Sequence, residues 1–257
     1  MASPHGSFVW YELMTTDAAA AETFYKGVIG WNAHDAGNPE LRYTLLSVGD
    51  TQVAGLMTLP KEACDAGAKP GWMGYVAVED VDDYTARFTK AGGTVHRAPA
   101  DIPGVGRFAI VADPQSAVIA LFKGTGTSPP APANTPGYPG WRELYAADGA
   151  AAFAFYSAMF EWTKGDAVDI GPMGTYQLFA LAGGGEAIGG IMTKPPNIPA
   201  PFWTYYFQVD GIAAAVARIN AAGGTVINGP MEVPGGSWIV QALDPQGAMF
   251  ALGSAKA

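Results

Sequence analysis

The stretch WYELMTTD at residues 10–17 returns as WRELYAAD at residues 141–148, an offset of 131 residues (141 − 10). Each stretch places a carboxylate, Glu12 or Glu143, two residues after a tryptophan, in a run typical of a strand that leads into a helix. A strand interior normally excludes an unpaired carboxylate, because removing the charge from water is costly. The recurrence therefore indicates a duplicated structural feature whose role has to be explained.

The duplication extends along most of the chain. AGGTV occurs at residues 91–95 and again at 222–226, and DPQSAVIAL at 113–121 matches DPQGAMFAL at 244–252. All of these matches keep the same offset, which is the signature of an internal repeat. The sequence therefore predicts two copies of one structural unit.

A segment rich in proline and glycine separates the two copies. Residues 124–139 read GTGTSPPAPANTPGYP, and such a composition can neither build a core nor hold a helix. We therefore predict a first domain at residues 6–123, a linker at 124–139 and a second domain at 140–254.

Both copies are predicted to have the same order of elements. In the first copy, Asp17 is a helix N-cap, and Ala20, Phe24 and Val28 follow at helical spacing. The pair Gly92-Gly93 ends a second helix. Strand-like runs around these helices give the pattern β-α-β-β-β twice in each copy, which predicts an α+β protein.

The composition excludes several classes of protein. The net charge is −9, and no cluster of Lys and Arg is available to neutralise phosphates, so nucleic acid is not an expected partner. No apolar run reaches the length of a membrane span, and the chain starts without a signal-peptide pattern. Cys64 is the single cysteine, which fits a reducing compartment. We therefore expect a cytoplasmic protein.

The motifs D…FY…GW, AGGTV and DPxG/S, in this order and seen twice, resemble the vicinal-oxygen-chelate superfamily, which includes glyoxalase I, the bleomycin- and fosfomycin-resistance proteins and the extradiol dioxygenases. The W-x-E-L opening and the tandem arrangement are similar to two-domain glyoxalase-like proteins. The resemblance implies two tandem domains, each made of two βαβββ motifs. Each domain would form a cupped eight-stranded sheet with helices outside and a ligand inside.

Enzymes of this superfamily hold a divalent metal through His, Glu or Gln on the first, fourth, fifth and eighth strands of the cup. By this resemblance, the ligand positions fall at Trp10, Gly55, Met73 and Ala120 in the first copy and at Trp141, Gly190, Thr204 and Ala251 in the second. None of these residues is a workable metal ligand except, weakly, Thr204, whereas a divalent ion needs several converging N, O or S donors. We therefore predict no metal and no other cofactor.

Two interpretations of Glu12 are open. Side chains alternate along a strand, so Trp10, Glu12 and Met14 share one face, and if Trp10 occupies a former ligand position that face points into the cup. The same argument applies to Glu143 behind Trp141. In one interpretation these carboxylates are desolvated general bases. In the other, they accept hydrogen bonds and tie neighbouring strands together.

Alternation selects most of the candidate ligand-binding residues, while Tyr43 and Tyr176 begin equivalent third strands and Arg107 is the one basic residue on a late strand of the first copy. Aromatic walls suit flat ligands with one or two polar groups. These candidates are Trp10, Tyr43, Tyr75, Arg107, Trp141, Tyr176, Thr204 and Tyr206. Gly55 and Gly190 are expected to leave space in the cups. Arg107 is expected either to bind a ligand carboxylate or to pair with Glu12.

Three functions are compatible with this pattern. The first is a metal-independent protein of the glyoxalase and bleomycin-resistance type that binds a small molecule, expected to be aromatic or flat, in its cups. The second is a lyase, isomerase or hydroxylase-like enzyme with Glu12 or Glu143 as general base. The third is an interaction module whose cups are filled by side chains. The sequence leaves a homodimer open.

Overall fold

A computed structural model of the chain describes residues 4–37, 42–126 and 135–257. Residues 127–134 of the predicted linker therefore lie outside the described residues. The elements of the first copy are β1 (Phe8–Thr15), α1 (Ala18–Val28), β2 (Asn32–Asp35), β3 (Tyr43–Val48), β4 (Thr51–Thr58), α2 (Lys61–Asp65), β5 (Gly71–Ala77), α3 (Val81–Lys90), β6 (Thr94–Ile102), β7 (Gly106–Ala112) and β8 (Val118–Gly124).

The second copy repeats this order, with a 3₁₀ turn in place of the short helix α2. Its elements are β9 (Pro139–Ala146), α4 (Gly149–Phe160), β10 (Thr163–Asp169), the 3₁₀ turn η1 (Gly171–Met173), β11 (Thr175–Ala180), β12 (Gly189–Thr193), β13 (Phe202–Gln208), α5 (Ile212–Ala221), β14 (Thr225–Glu232), β15 (Trp238–Leu243) and β16 (Met249–Ser254). The turn η1 lies between β10 and β11, whereas α2 lies between β4 and β5.

The strands form two eight-stranded mixed sheets with the same order. The first is β2-β3-β4-β1-β5-β8-β7-β6 and the second is β10-β11-β12-β9-β13-β16-β15-β14. Each sheet contains two βαβββ motifs, so the predicted α+β fold with duplicated motifs is confirmed. The sequence pattern did not locate β2, because its residues NAHD show no alternation of apolar and polar side chains.

Contacts between Cα atoms divide the chain into two compact units. Unit 1 comprises Met1–Val9, Met73–Pro129 and Arg142–Thr204, and unit 2 comprises Trp10–Trp72, Pro130–Trp141 and Tyr205–Ala257. Each compact unit therefore combines segments from both sequence copies. The domain boundaries at 6–123 and 140–254 describe the sequence repeat and stay a prediction.

The core of unit 2 is an aromatic cluster beneath α1. The rings of Tyr25, Trp31, Trp72 and Phe207 contact one another at centroid distances of 4.9–6.0 Å. The indole N–H of Trp31 donates to the carbonyl of Gly137 at 2.7 Å. Such rings stabilise a core through their large buried area and their edge-to-face contacts, provided that each polar N–H has an acceptor.

Unit 1 repeats this arrangement beneath α4. Trp162 stacks on Phe179 at 4.3 Å and on Tyr156 at 5.6 Å, and its indole N–H donates to the carbonyl of Gly6 at 2.8 Å. Trp203 donates its indole N–H to the Tyr156 hydroxyl at 3.2 Å. The repeated tryptophan of the FY…W motif is thus a core residue in both units.

The helix caps agree with the sequence analysis. The Asp17 side chain accepts a hydrogen bond from the backbone N–H of Ala20 at 3.0 Å, and Asp148 accepts one from Ala151 at the same distance. These bonds satisfy backbone donors that the first turn of a helix leaves without partners. The predicted N-cap is therefore confirmed.

The end of α4 offers a test of backbone conformation. Glu161 ends this helix with φ 58° and ψ 24°, a left-handed conformation, whereas the matching position after α1 is Gly30 with φ 92°. A residue with a Cβ atom is strained in this region by about 1 kcal/mol or more. The Glu161 side chain makes no hydrogen bond or ion pair with a described residue, so Glu161→Gly loses no such contact.

We expect Glu161→Gly to raise the free energy of unfolding by about 1 kcal/mol, because glycine relieves the left-handed strain. Urea denaturation followed by tryptophan fluorescence measures the change. The matched variant Gly30→Glu should lower stability by a similar amount, since a Cβ atom at Gly30 meets no atom within 4 Å and only the backbone strain changes. Equal stability of both variants and the parent protein would contradict the prediction.

Candidate functional site

The two faces of β1 have different surroundings. Tyr11 is buried and its ring contacts Tyr205 and Phe207 at centroid distances of 5.2 and 6.0 Å. Glu12 points to the opposite face and is only 7% exposed. The predicted alternation, with Trp10 and Glu12 on the face opposite Tyr11, is therefore observed.

Three side chains on that face form a hydrogen-bonded chain within unit 2. The Trp10 indole N–H donates to the Tyr43 hydroxyl at 2.9 Å, and the Tyr43 hydroxyl donates to Oε2 of Glu12 at 2.9 Å. Tyr43 reaches this position from β3, on the other side of β4. We refer to Trp10, Tyr43 and Glu12 as the β1 network.

Electrostatics fix the direction of the hydrogen bond between Tyr43 and Glu12. Burial raises the pKa of the Tyr43 hydroxyl well above its usual value, and the negative charge of Glu12 raises this pKa further. Tyr43 therefore keeps its proton at neutral pH and serves as the donor to Glu12. This interaction stabilises the charged carboxylate inside the sheet, as a buried charge requires.

The space expected at Gly55 is filled. A Cβ atom at this position would overlap the ring and hydroxyl of Tyr43, so the tyrosine ring lies directly over the glycine. Glu12 and Gly55 are also neighbours in the parallel pairing of β1 with β4. The prediction that this glycine leaves an open space is wrong; the glycine allows Tyr43 to approach Glu12.

Unit 1 contains the equivalent arrangement on β9, β11 and β12. Glu143 is 8% exposed and is the neighbour of Gly190 in the parallel pairing of β12 with β9. A Cβ atom at Gly190 would overlap the ring of Tyr176. The space predicted at Gly190 is therefore also filled by a tyrosine. Trp141, two residues before Glu143, is partly exposed.

A polar row crosses β13, β16, β15 and β14 in unit 2. Gln241 donates from Nε2 to the Tyr206 hydroxyl at 2.7 Å, and its Oε1 accepts from Nδ2 of Asn228 at 3.1 Å. Tyr206 and Gln241 are both register partners of Ala251, so their hydrogen bond passes over the alanine. Strand alternation predicts Tyr206 but gives no signal for Gln241 and Asn228.

The matching row in unit 1 has isoleucine at the position of Gln241 and arginine at the position of Asn228. Tyr75 pairs with Ala120, Ala120 with Ile110, and Ile110 with Arg97, in the same register. The Tyr75 ring contacts aromatic rings of β7 and β8 at 6.1–6.3 Å. The two copies have therefore diverged in polarity at identical positions, which a position-by-position comparison of the repeats could have revealed.

Arg107 has carboxylate partners of its own. Its guanidinium binds Asp82 through two nitrogens, at 2.6 and 2.8 Å, and Asp101 through the third at 2.9 Å. These bonds hold the pKa of the Asp82 carboxyl below its usual value. The alternative in which Arg107 pairs with Glu12 is therefore wrong, and a ligand carboxylate would have to compete with two aspartates.

Thr204 differs from the other predicted site residues. It is buried in unit 1, and its Oγ1 atom has no hydrogen-bond partner among the described residues. Buried hydroxyls normally have a partner, and each exception calls for an explanation such as a missing ligand or water.

The residues at the superfamily's metal positions do not fit a divalent ion. Tyrosine rings occupy the side-chain space of Gly55 and Gly190, and Ala120 and Ala251 carry no donor atom. Within residues 4–37, 42–126 and 135–257, no group of three or more His, Cys, Asp or Glu could hold a metal. The donor set that a divalent metal needs is therefore not assembled at these positions.

The predicted site residues thus form separate groups. Trp10, Tyr43 and Glu12 come together in unit 2, where Tyr206 joins a different polar row. In unit 1, Tyr176 covers the glycine beside Glu143. Arg107 lies in an exposed ion-pair cluster, and Tyr75 lies among aromatic rings.

None of the helices in the described part of the chain has the length and apolar character that a bilayer crossing requires.

Known proteins place this geometry in context. The family model of the Glyoxalase/Bleomycin resistance protein/Dioxygenase superfamily matches residues 7–121 and 139–252. The chain is similar to "Putative glyoxylase CFP32" of Mycobacterium tuberculosis, at 32% identity over 95% of this chain and 92% of that protein. It is also similar to the anthracycline biosynthesis protein DnrV of Streptomyces peucetius, at 31% identity over 96% of this chain and 92% of the relative.

Solved structures share the fold at low sequence identity. The Mn(II)-bound glyoxalase of Novosphingobium aromaticivorans matches with a TM-score of 0.65 and 15% identity, over 99% of this chain and 83% of that one. The 2,2',3-trihydroxybiphenyl 1,2-dioxygenase of Sphingomonas wittichii strain RW1 matches with a TM-score of 0.67 and 14% identity, over 99% and 91%. The chain belongs to the glyoxalase/bleomycin resistance protein/dioxygenase superfamily.

Proposed function

We propose that this protein is a metal-independent small-molecule-binding protein of the glyoxalase and bleomycin-resistance type. The β1 network carries the proposal. Trp10 and Tyr43 are only partly buried, yet a hydrogen bond joins them and a second bond anchors Tyr43 to the buried Glu12. The network thus presents an indole and a phenol that are both held in place.

Such a wall favours a flat or aromatic ligand. Stacking on an aromatic ring contributes about 0.5–1.5 kcal/mol beyond the burial of apolar area. Rings that are already ordered lose little side-chain entropy when a ligand binds, which improves affinity. In unit 1, the unpartnered hydroxyl of Thr204 supports the same function, because a polar ligand group there would satisfy it.

The relatives help to choose the first probes. One of them is named for anthracycline biosynthesis and another for a glyoxylase. We therefore take an anthracycline, daunorubicin, as the first flat aromatic probe, and a set of smaller aromatic metabolites as the second.

Fluorescence titration tests the proposal. We expect saturable quenching of tryptophan fluorescence, and we expect Trp10→Phe or Trp141→Phe to weaken the affinity several-fold because each variant replaces an indole by a smaller stacking surface. Dialysis against EDTA should leave both the affinity and the melting temperature unchanged. Trp238 is a partly exposed tryptophan on β15. The variant Trp238→Phe is therefore the matched control for the loss of one tryptophan's fluorescence.

Two results would contradict this function. Affinity that survives in both Trp10→Phe and Trp141→Phe would place the ligand elsewhere. Affinity or melting temperature that collapses after chelation and recovers with a divalent metal would show a metal-dependent protein.

An enzyme with Glu12 or Glu143 as general base is the second candidate. The observation that favours it is a buried carboxylate beside a protonated phenol, since such a pair can exchange protons with a substrate. The Tyr43 hydroxyl, however, already donates its proton to Oε2 of Glu12, so this oxygen is engaged within the protein. Binding is therefore the better-supported role.

Glu12→Gln and Glu143→Gln separate the two candidates. Each glutamine keeps the shape of the side chain and removes the base. If the protein is an enzyme, product formation from a bound probe, followed by mass spectrometry, should fall strongly in one variant while binding persists. Any turnover that is unchanged in both variants would contradict the general-base role.

A further inference from the structure

A cavity lies on the face of β11 and β12 opposite the Tyr176–Gly190 contact. It has a volume of about 340 Å³, within the range of small-molecule sites. Tyr176 covers Gly190 on one face, so alternation places Gln177 and Ile191, which are register partners, on the other face together with Thr193. The cavity is therefore separate from the face that carries Glu143.

The walls of the cavity combine one cation with apolar side chains. Lys164 of β10 lines it, with its ammonium 5.3 Å from the centroid of the Phe153 ring. Ile191 and Met173 complete the apolar lining. Lys164 is exposed and forms no ion pair with any residue in the described ranges, although the Asp148 carboxylate lines the same cavity.

Local irregularities of the second copy build this cavity. The pairing of β10 with β11 shifts register between Lys164 and Ala167, and the Gln177 amide bridges the irregularity by donating to the carbonyl of Gly165 at 2.9 Å. A bulge of this kind redirects neighbouring side chains. In the first copy, β2 pairs with β3 in regular register, and the position of Lys164 is occupied by Ala33.

The end of the cavity beside α4 is rigid. Asp148 exchanges two hydrogen bonds with Gln115, at 2.8 and 2.9 Å, and its carboxylate caps Ala151. The Gly149 N–H donates to the Thr193 hydroxyl at 3.0 Å. The Asp148 charge also lines the cavity, which disfavours a ligand with more than one negative charge.

We propose that this cavity is a second ligand site, independent of the β1 network, which binds a small monocarboxylate with an apolar, aromatic-sized body. The carboxylate would pair with Lys164, and the body would rest on the exposed side chain of Met173, above the buried Phe153 and Ile191. A charge-assisted hydrogen bond in a partly enclosed site favours the carboxylate over a neutral analogue of the same shape by about tenfold.

Methyl NMR of methionine-labelled protein tests this site with 3-phenylpropionate and its neutral analogue 3-phenylpropionamide. The Met173 methyl group reports on the cavity. The Met192 methyl group reports on the opposite face, because Met192 alternates with Ile191 along β12. We expect 3-phenylpropionate to shift the Met173 signal saturably, with about tenfold higher affinity than the amide.

Two variants and a control complete the design. Lys164→Gln should reduce the affinity for the carboxylate to that for the amide without changing the affinity for the amide. Ala150→Phe should abolish binding of both probes, because it fills the cavity from the first turn of α4. Lys123→Gln, at another exposed lysine of unit 1, should bind as the parent protein does.

Three outcomes overturn the proposal. The first is no shift of the Met173 signal by either probe. The second is that the two probes bind with equal affinity and that Lys164→Gln leaves both affinities unchanged. The third is a shift of Met192 without a shift of Met173, which would assign binding to the opposite face. None of these results bears on the β1 network, so this proposal and the proposed function can fail independently.

Discussion

Gly55→Ala is expected to break the β1 network and to reduce the affinity for an aromatic ligand by about tenfold or more. The new methyl group would occupy the position of the Tyr43 ring and hydroxyl, so the tyrosine must swing away from Glu12 and Trp10. Loss of its two hydrogen bonds, one of them to a buried carboxylate, should lower the free energy of unfolding by about 1–3 kcal/mol.

The measurements are urea denaturation and the fluorescence titration described above. Tyr43→Ala provides the matched background. Once the tyrosine ring is absent, Gly55→Ala should hardly change the free energy of unfolding. The double-mutant cycle should therefore show a coupling energy between positions 43 and 55 of about 1 kcal/mol or more. Gly27→Ala is the control for affinity: its Cβ atom meets nothing within 4 Å, and in the interior of α1 it should raise stability by about 0.5–1 kcal/mol without changing ligand binding. A Gly55→Ala protein with unchanged stability and affinity would refute the role of the network.

The misprediction at Gly55 has a geometric cause. The internal repeat and the alternation along β1 were sufficient to predict the fold and the face on which Glu12 lies. Tyr43, however, pairs directly with Met57, two residues along β4 from Gly55, and reaches the glycine diagonally. Large aromatic side chains span such diagonal distances, and the direction in which they lean is not encoded in alternation.

The polar partners of Tyr206 and Arg107 could not be predicted from strand alternation either. Gln241 meets Tyr206 only because both pair with Ala251, and the pairing of β14 with β15 that brings Asn228 beside Gln241 contains two register shifts. Arg107 finds Asp82 on the helix α3, which strand alternation does not consider. Sequence patterns predict the face of a strand well, but partners on other elements depend on register and on helix packing.

The repeated DPQ turn is the site where we expect the largest loss of stability. Asp244 is buried, and its Oδ1 accepts hydrogen bonds from the backbone N–H groups of Gln246 and Ala248, both at 2.9 Å. Its Oδ2 accepts from the Tyr25 hydroxyl at 3.1 Å, and Tyr25 in turn accepts from the Trp72 indole N–H at 2.9 Å. The aspartate therefore ties the turn before β16 to the aromatic core of unit 2.

Asp244→Ala should lower the free energy of unfolding by about 3–4 kcal/mol, because three buried donors lose their acceptor. Asp244→Asn keeps an oxygen for the two backbone N–H groups but removes the acceptor of the Tyr25 hydroxyl, and it should cost about 1–2 kcal/mol at neutral pH. Urea denaturation of both variants measures the difference. A loss in Asp244→Asn as large as that in Asp244→Ala would show that the charge, and not the set of hydrogen bonds, stabilises the turn.

The pH dependence gives an independent test of the same residue. Burial raises the pKa of the Asp244 carboxyl above its usual value of 3.8, against the opposing effect of the backbone and Tyr25 hydrogen bonds. A carboxyl with a raised pKa favours folding while it is protonated, so its contribution is complete below pH 3.8 and is lost as the pH rises through the folded-state pKa. The stability of the parent protein relative to Asp244→Asn should therefore fall as the pH rises from 3.8 and level off above that pKa. If the stability of the parent protein relative to Asp244→Asn instead rises with pH over this range, the hydrogen bonds outweigh burial and the turn favours the charged form of the carboxyl group.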